Sequence, residues 1–283
     1  MTNKKWITAF ADEYAPELEE QITGLKRCGI NHIEIRNIGG KGIHSYTLDE
    51  VKEIKKKLDK AEIDVSAIGS PIGKIGVLDD FREHFDAFRH VVNIADILDC
   101  KYIRMFSFYI PKGGDPQNYR AEVLNRLSRL ISYAKTHKKI LLHENEKGIY
   151  GDIGSRCLDL FQELGCETFC CTFDFANFIE CGQNTMEAYE MLHPYITYLH
   201  IKDADKDKNI VPAGYGEGQI CDILSLLYQK GYKGFLSIEP HLSNFAGLEQ
   251  LEQSTKKKQE KFSQKESFVI ACNALVDILE RAV

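Results

Sequence analysis

No stretch of 18 apolar residues occurs anywhere in this chain, which excludes a membrane-spanning helix of ordinary length. Met1–Lys5 carry no apolar run of the kind that opens a secretory signal, so a cytoplasmic protein is expected. Positive charge is in deficit: 36 Lys and Arg against 42 Asp and Glu leave a net charge of −6. That balance lacks the basic footprint of a nucleic-acid binder, so neither nucleic acid nor membrane is expected as a partner. A cysteine framework is missing as well. Cys28, Cys100, Cys157, Cys166, Cys170 and Cys171 fall at helix ends and in strands without a repeated spacing, as reduced, buried thiols do. Cys170–Cys171 open an apolar strand and read as core.

What the chain does have is alternation. Short β-rich runs stand at Trp6–Phe10, His32–Ile35, Val65–Ile68, Tyr102–Phe106, Ile140–His143, Phe169–Phe173, Tyr195–Ile201 and Phe235–Ile238. Amphipathic helical patterns separate them, at Pro16–Cys28, Thr47–Ala61, Asp80–Leu98, Tyr119–Thr136, Ser155–Leu164, Thr185–Leu192, Ile220–Gln229 and Ser263–Leu279. Such alternation predicts an α/β protein with a parallel sheet, and 283 residues suit a single (β/α)₈ barrel over residues 1–283. Pro16 is expected to open the first helix, and Gly29, Gly165 and Gly231 to close helices in left-handed caps. One connection, residues 242–262, is too long for a compact unit and ends in the charge-rich run Glu249–Lys261. Its first part, with His241, Asn244, Phe245 and the bend at Gly247, is expected to close over the pocket or a neighbouring subunit. The run Lys256–Lys261 should lie on the surface.

Active sites of such barrels lie at the carboxyl ends of the strands. There the fifth strand delivers His143-Glu144-Asn145-Glu146, the sixth Asp174-Phe175-Ala176-Asn177, the seventh His200-Ile201-Lys202-Asp203 and the eighth Glu239-Pro240-His241. Four neighbouring strands thus bring carboxylate, carboxylate, imidazole and carboxylate to one rim. Converging carboxylates repel unless a cation neutralises them, and one divalent ion does so. Oxygen-rich ligation with one imidazole favours Mn²⁺, with Co²⁺ or Mg²⁺ as alternatives. The competing reading is a set of ion pairs with Lys202, Lys147 and Arg104.

The ordered phrases Leu142-His143-Glu144-Asn145, Phe173-Asp174, Leu199-His200-Ile201-Lys202-Asp203, Gly216-Glu217-Gly218 and Ile238-Glu239-Pro240 resemble the xylose-isomerase-like sugar isomerase/epimerase superfamily. The resemblance runs over nearly the whole chain. It implies that Glu144, Asp174, His200 and Glu239 are metal ligands, and that Glu144 and Glu239 also carry the proton, as in ketose epimerases. A small carbohydrate would be the substrate, isomerised or epimerised through an enediolate, and a homo-oligomer is compatible with it. Those epimerases carry histidine three residues after the strand-six aspartate, where Asn177 stands here; an amide hydrogen-bonds a hydroxyl but does not take its proton.

Two other outcomes share these residues. A lyase or deglycosidase acting on a 3-keto glycoside begins with the same proton abstraction. An AP endonuclease-like phosphodiesterase would need several metals and extra histidines after strands three, four and six, where Ser70-Pro71-Ile72, Ser107-Phe108 and Asn177 stand instead. Substrate contacts are expected from Lys202, His241, Asn177, Lys74 and, ending strand two, Glu34. Glu146 is a rival ligand to Glu144, and His143 reads as a packed residue turned away from the rim. Gly216-Glu217-Gly218 could cradle an anion at a helix N-terminus, or simply turn the chain. With no arginine cluster visible, a neutral sugar is expected over a sugar phosphate. His32, His84, His90 and His137 read as structural or surface residues.

Overall fold

The computed structural model describes residues 6–245 and 262–282. Eight parallel strands run β1 (Ile7–Ala9), β2 (His32–Ile35), β3 (Asp64–Gly69), β4 (Tyr102–Met105), β5 (Ile140–Glu144), β6 (Phe169–Asp174), β7 (Ile196–Ile201) and β8 (Phe235–Ile238). Their hydrogen-bonded order is β1-β8-β7-β6-β5-β4-β3-β2, and β1 lies back beside β2, so the sheet is a (β/α)₈ barrel. The helices are α1 (Leu18–Arg27), α2 (Leu48–Lys60), α3 (Phe81–Ile97), α4 (Arg120–Thr136), α5 (Gly154–Leu164), α6 (Phe175–Glu180), α7 (Thr185–Leu192), α8 (Ile220–Gln229) and α9 (Gln264–Ala282). Among the described residues no helix is long and apolar enough to cross a membrane.

Local chemistry explains the starts and stops. Helix α2 begins in a reciprocal capping box, Thr47 with Glu50, and buries Val51, Ile54 and Leu58 along one stripe. The major core fills the space between sheet and helices, while Ala67, Leu142 and Tyr198 form a small cluster of their own. Thr8 Oγ1 meets Ser66 Oγ at 2.7 Å, and Ser66 Oγ meets Tyr198 Oη at 3.0 Å, tying β1, β3 and β7 across the interior. His143 points the other way, between Phe161 and Phe169, with neither ring nitrogen hydrogen-bonded. Burial pushes it down to about 3, so it is a neutral packing group, as strand alternation predicts.

Strand bounds read from the sequence hold to within one residue, and differences elsewhere have physical causes. Pro16 precedes the first helix instead of opening it: Glu17 is the N-cap, and the Pro16 carbonyl accepts from Gly39 N at 2.7 Å and Gln21 Nε2 at 2.9 Å. Gly29 and Gly231 adopt the expected left-handed φ of 69° and 83°. Gly165 does not, with φ −58°; a Cβ there would run into the Phe161 carbonyl, so space and not handedness selects glycine. Helix α6 was not foreseen, because its signal is a single capping residue, Asp174, whose Oδ1 accepts from Asn177 N at 2.8 Å. The charged run Glu249–Lys261 and Gly247 lie outside the described residues.

The loop after β3 is fastened by a histidine that must stay neutral. His84 Nε2 accepts from Gly73 N at 2.8 Å, and burial, with Arg126 adding to it, lowers its pKa to about 4. Between pH 6.5 and 4 the unfolded chain therefore binds a proton that the folded chain refuses, and stability falls as pH drops through that window. The slope from this group is at most about 1.4 kcal/mol per pH unit. Thermal melts of His84→Leu should show a lower midpoint at pH 7.5 and a shallower loss from pH 6.5 to 4 than wild type. Parallel curves would show that the Gly73 contact does not govern this titration.

Candidate metal centre

Each ligand candidate stands at a strand's carboxyl end. Glu144 closes β5, Asp174 closes β6, His200 is the penultimate residue of β7, and Glu239 follows β8. All four are buried, and one donor atom from each lies within 4.8 Å of the others. His200 Nδ1 is the hub, 3.1 Å from Glu144 Oε1, 3.4 Å from Glu239 Oε2 and 4.0 Å from Asp174 Oδ2.

Beneath the hub, His200 Nε2 lies 3.2 Å from Glu34 Oε2, which fixes the ring so that Nδ1 faces the cluster. Glu34 was expected at the rim; it is fully buried against the imidazole. Asn145 clamps two strand ends together, donating to Asp174 O at 2.9 Å and accepting from Asp174 N at 2.9 Å. Asn177 Nδ2 donates to Glu144 Oε1 at 3.2 Å and to Asn145 O at 2.9 Å, so its amide steadies a ligand instead of facing an open cavity.

Two arginines complete the site: Arg104, which the ion-pair reading named, and Arg36, which the sequence reading passed over. Arg104 Nη1 donates to Glu144 Oε2 at 3.1 Å, and Arg36 Nη1 donates to Glu239 Oε1 at 3.1 Å. Lys202 Nζ lies 3.0 Å from Asp174 Oδ2 and 3.4 Å from Glu239 Oε2. Each glutamate thus has one oxygen tied to a buried guanidinium and the other turned toward His200. Arg36 directly follows β2, and Arg104 lies within β4, so the rim rule applied to the first four strands would have flagged both.

The donor set fits a divalent cation. Asp174 Oδ2 and His200 Nδ1 are buried and make no hydrogen bond of proper geometry among the described residues. Burial, opposed by Lys202 and reinforced by Glu239 and Glu144, drives the Asp174 carboxyl up to about 7. Burial acts upward on Glu144 too, but His200 and Arg104 outweigh it and hold that carboxyl at about 2. Carboxylate oxygens with one imidazole suit Mn²⁺, Mg²⁺, Co²⁺ or Zn²⁺, and no thiol is nearby to select otherwise.

The remaining candidates are placed as follows. Lys74 pairs with Glu146 at 3.0 Å and lies over the Phe106 ring at 4.4 Å, which takes Glu146 away from the ligand cluster. His241 Nε2 lies 3.2 Å from Glu239 Oε1 and 3.4 Å from Glu13 Oε1, and the Phe245 ring packs at a tilt beside it with ring centroids 5.4 Å apart. One ligand set was expected; Glu13, Glu239 and His241 form a second group that shares Glu239. The Gly216-Glu217-Gly218 turn is no open anion cradle. Asp203 already accepts from Gly214 N at 2.9 Å, Gly216 N at 3.0 Å, Gly218 N at 2.9 Å and Ala204 N at 2.9 Å.

Residues 22–264 match the family described as xylose isomerase-like TIM barrel, and the chain belongs to that family. Among curated proteins it is 22% identical over 155 residues to a 3-dehydroshikimate dehydratase of Bacillus anthracis, a match covering 55% of this chain and 51% of that protein. The chain therefore matches about half the length of that relative. Among solved structures, an L-ribulose 3-epimerase superposes with TM-score 0.75 at 14% identity, covering 98% of this chain and 94% of that one. The IOLI protein, solved with a bound zinc atom, superposes with TM-score 0.75 at 14% identity, covering 98% and 99%. At these identities the structural likenesses define the fold alone.

The Glu34 contact gives a direct expectation. Glu34→Gln keeps the volume but replaces the carboxylate that orients His200, and such changes beside a ligand cost about 10–100-fold in metal affinity. Titrating Mn²⁺ against a competing chelator should show that loss in a folded protein. An unchanged affinity would mean that Glu34 does not set the imidazole.

Proposed function

We propose that the chain is a divalent-metal-dependent isomerase or epimerase acting on a sugar or keto-sugar through an enediolate. The observation that carries this reading is the pair Glu144 and Glu239. They come from β5 and β8, with β6 and β7 between them, and both turn a carboxylate oxygen toward His200 Nδ1, at 3.1 Å and 3.4 Å. Two carboxylates reaching one centre from different sides suit removal of a carbon-bound proton from one face and its return to the other.

Glu144, Asp174, His200 and Glu239 would hold the ion. When bound, that ion would supply Lewis-acid charge to the substrate's adjacent oxygens, the environment an enediolate needs. The chain's own groups do the rest. Arg104 and Asn177 hold Glu144, Arg36 and His241 hold Glu239, and Lys202 reaches into the same cavity to meet a hydroxyl or developing oxyanion. Phe10, Phe106 and Phe245 stack on Arg36, Arg104 and Lys74 and keep water from the polar cluster.

Elimination from a 3-keto glycoside or a related β-hydroxy ketone is the second reading, and Lys202 favours it. An epimerase needs only the two glutamates, whereas a departing hydroxyl or aglycone wants a further acid, and Lys202 Nζ stands 3.4 Å from Glu239. Products separate the two. In D₂O, an epimerase returns an isomer with the same carbon skeleton carrying one carbon-bound deuterium; a lyase releases water or an aglycone and leaves an unsaturated ketone.

Glu144→Gln and Glu239→Gln should each lower kcat by at least about a hundredfold while far-UV circular dichroism stays native, since each removes a proton carrier. Near-wild-type turnover in either variant, with normal metal content, would remove that residue from proton transfer. A neutral sugar should outperform its phosphate ester in kcat/KM, because both buried guanidiniums already serve carboxylates and the glycine-turn amides serve Asp203. A tenfold preference for the phosphorylated form would reverse that expectation.

A further inference from the structure

The second group of potential ligands, Glu13, Glu239 and His241, has donor atoms within 4.8 Å of one another, all buried. Its two measured edges, 3.4 Å from His241 Nε2 to Glu13 Oε1 and 3.2 Å to Glu239 Oε1, are close to the spacing of neighbouring donors around an ion. For bonds of about 2.1 Å in octahedral geometry that spacing is roughly 3 Å. By shape alone this would be a second metal position, one carboxylate away from the first.

A protein cation already neutralises it. Arg36 Nη2 donates to Glu13 Oε1 at 3.0 Å and Arg36 Nη1 to Glu239 Oε1 at 3.1 Å, the same two oxygens a second ion would need. The guanidinium is anchored from behind by Asp12, through Nε at 2.9 Å and Nη2 at 3.0 Å. The Phe10 ring stacks on it at 4.4 Å and the Phe245 ring at 5.0 Å. His241 is held in place with a left-handed φ of 45°, its backbone N–H donating to Glu13 Oε2 at 2.6 Å. A planar cation held by three carboxylates and packed against two rings occupies the place a second ion would need.

We infer that Arg36 stands in for a second metal ion: seated against Glu13 and Glu239, it limits the centre to one ion and turns only Oε2 of Glu239 toward it. The inference rests on Glu144, Asp174, His200 and Glu239 being a divalent-ion site. Removing the guanidinium strips Asp12 of its bidentate partner and leaves Glu13 and Glu239 buried on either side of His241 with one of their counter-charges gone. Breaking a buried pair in this way is strongly unfavourable, and a dication is the ligand that restores neutrality with the donors present.

The test counts ions. Wild type, Arg36→Lys, Arg36→Ala and the double variant Arg36→Ala/His241→Ala are dialysed against Mn²⁺, and bound manganese per chain is measured by elemental analysis. Low-temperature electron paramagnetic resonance then reports whether two Mn²⁺ ions are exchange-coupled. Wild type and Arg36→Lys should hold one ion, Arg36→Ala two coupled ions, and the double variant one. One ion or fewer in folded Arg36→Ala, or two in wild type, overturns the inference alone. Wild type holding none overturns the four-residue centre along with it. If Arg36→Ala is unfolded without metal, its refolding is followed against Mn²⁺: recovery with two ions per chain supports the inference, and failure to recover at millimolar Mn²⁺ overturns it.

Discussion

Three carboxylates and an imidazole buried within 4.8 Å of one another would not stay together on packing alone. Every feature around them answers that charge. Arg104 answers Glu144, Arg36 answers Glu239, and Lys202 answers Asp174, each within 3.1 Å. Losing one partner of such a pair costs about 3–5 kcal/mol, because the survivor is stranded without water. The barrel is what makes this arrangement possible. Parallel strands fix the ends of their backbones in register, so side chains from β5 to β8 reach one point without any loop having to be ordered for the purpose.

The same accounting reaches down into the barrel. Glu34 has no place at the rim because the imidazole needs an acceptor beneath it, and Tyr198 and Ser66 continue that polar column toward Thr8. Apolar residues would fill this space at lower cost. The column gives His200 one orientation, and the four ligand atoms can converge only if that ring is set.

The convergence of Glu144, Asp174, His200 and Glu239 was legible in the sequence because its signal is serial: four consecutive strands each end in a candidate ligand type, and the four side chains come together. The strand count was legible for a related reason, since short β-rich runs alternate with amphipathic helical patterns through all eight units. What compensates the charge was only partly legible: Lys202 and Arg104 were named as ion-pair partners, whereas Arg36 was missed because it comes from β2, on the opposite arc of the barrel, where the rim rule was not pressed. Asp203 hid its role likewise. Its carboxylate draws in four backbone N–H groups from 204 to 218, a contact that only the folded loop creates, so the glycine phrase looked like a vacant anion site.

These compensating charges have a chemical consequence. A guanidinium on one oxygen of a glutamate fixes the direction of the other oxygen, but with the imidazole it also lowers its basicity: His200 first and Arg104 second hold Glu144 at about 2. A carboxylate that weak does not remove a proton from an unactivated carbon at useful rates. If Glu144 and Glu239 carry the proton as proposed, the arrangement gives up base strength for position and suits a substrate whose C–H bond is already acidified by an adjacent carbonyl. That requirement points to keto-sugars and related α-hydroxy ketones ahead of closed glycosides. Under the proposed reaction the crowding of cations around a candidate cation site has a reason: they would orient Glu144 and Glu239 as proton carriers, at a cost in basicity that a strongly polarised carbonyl would make tolerable.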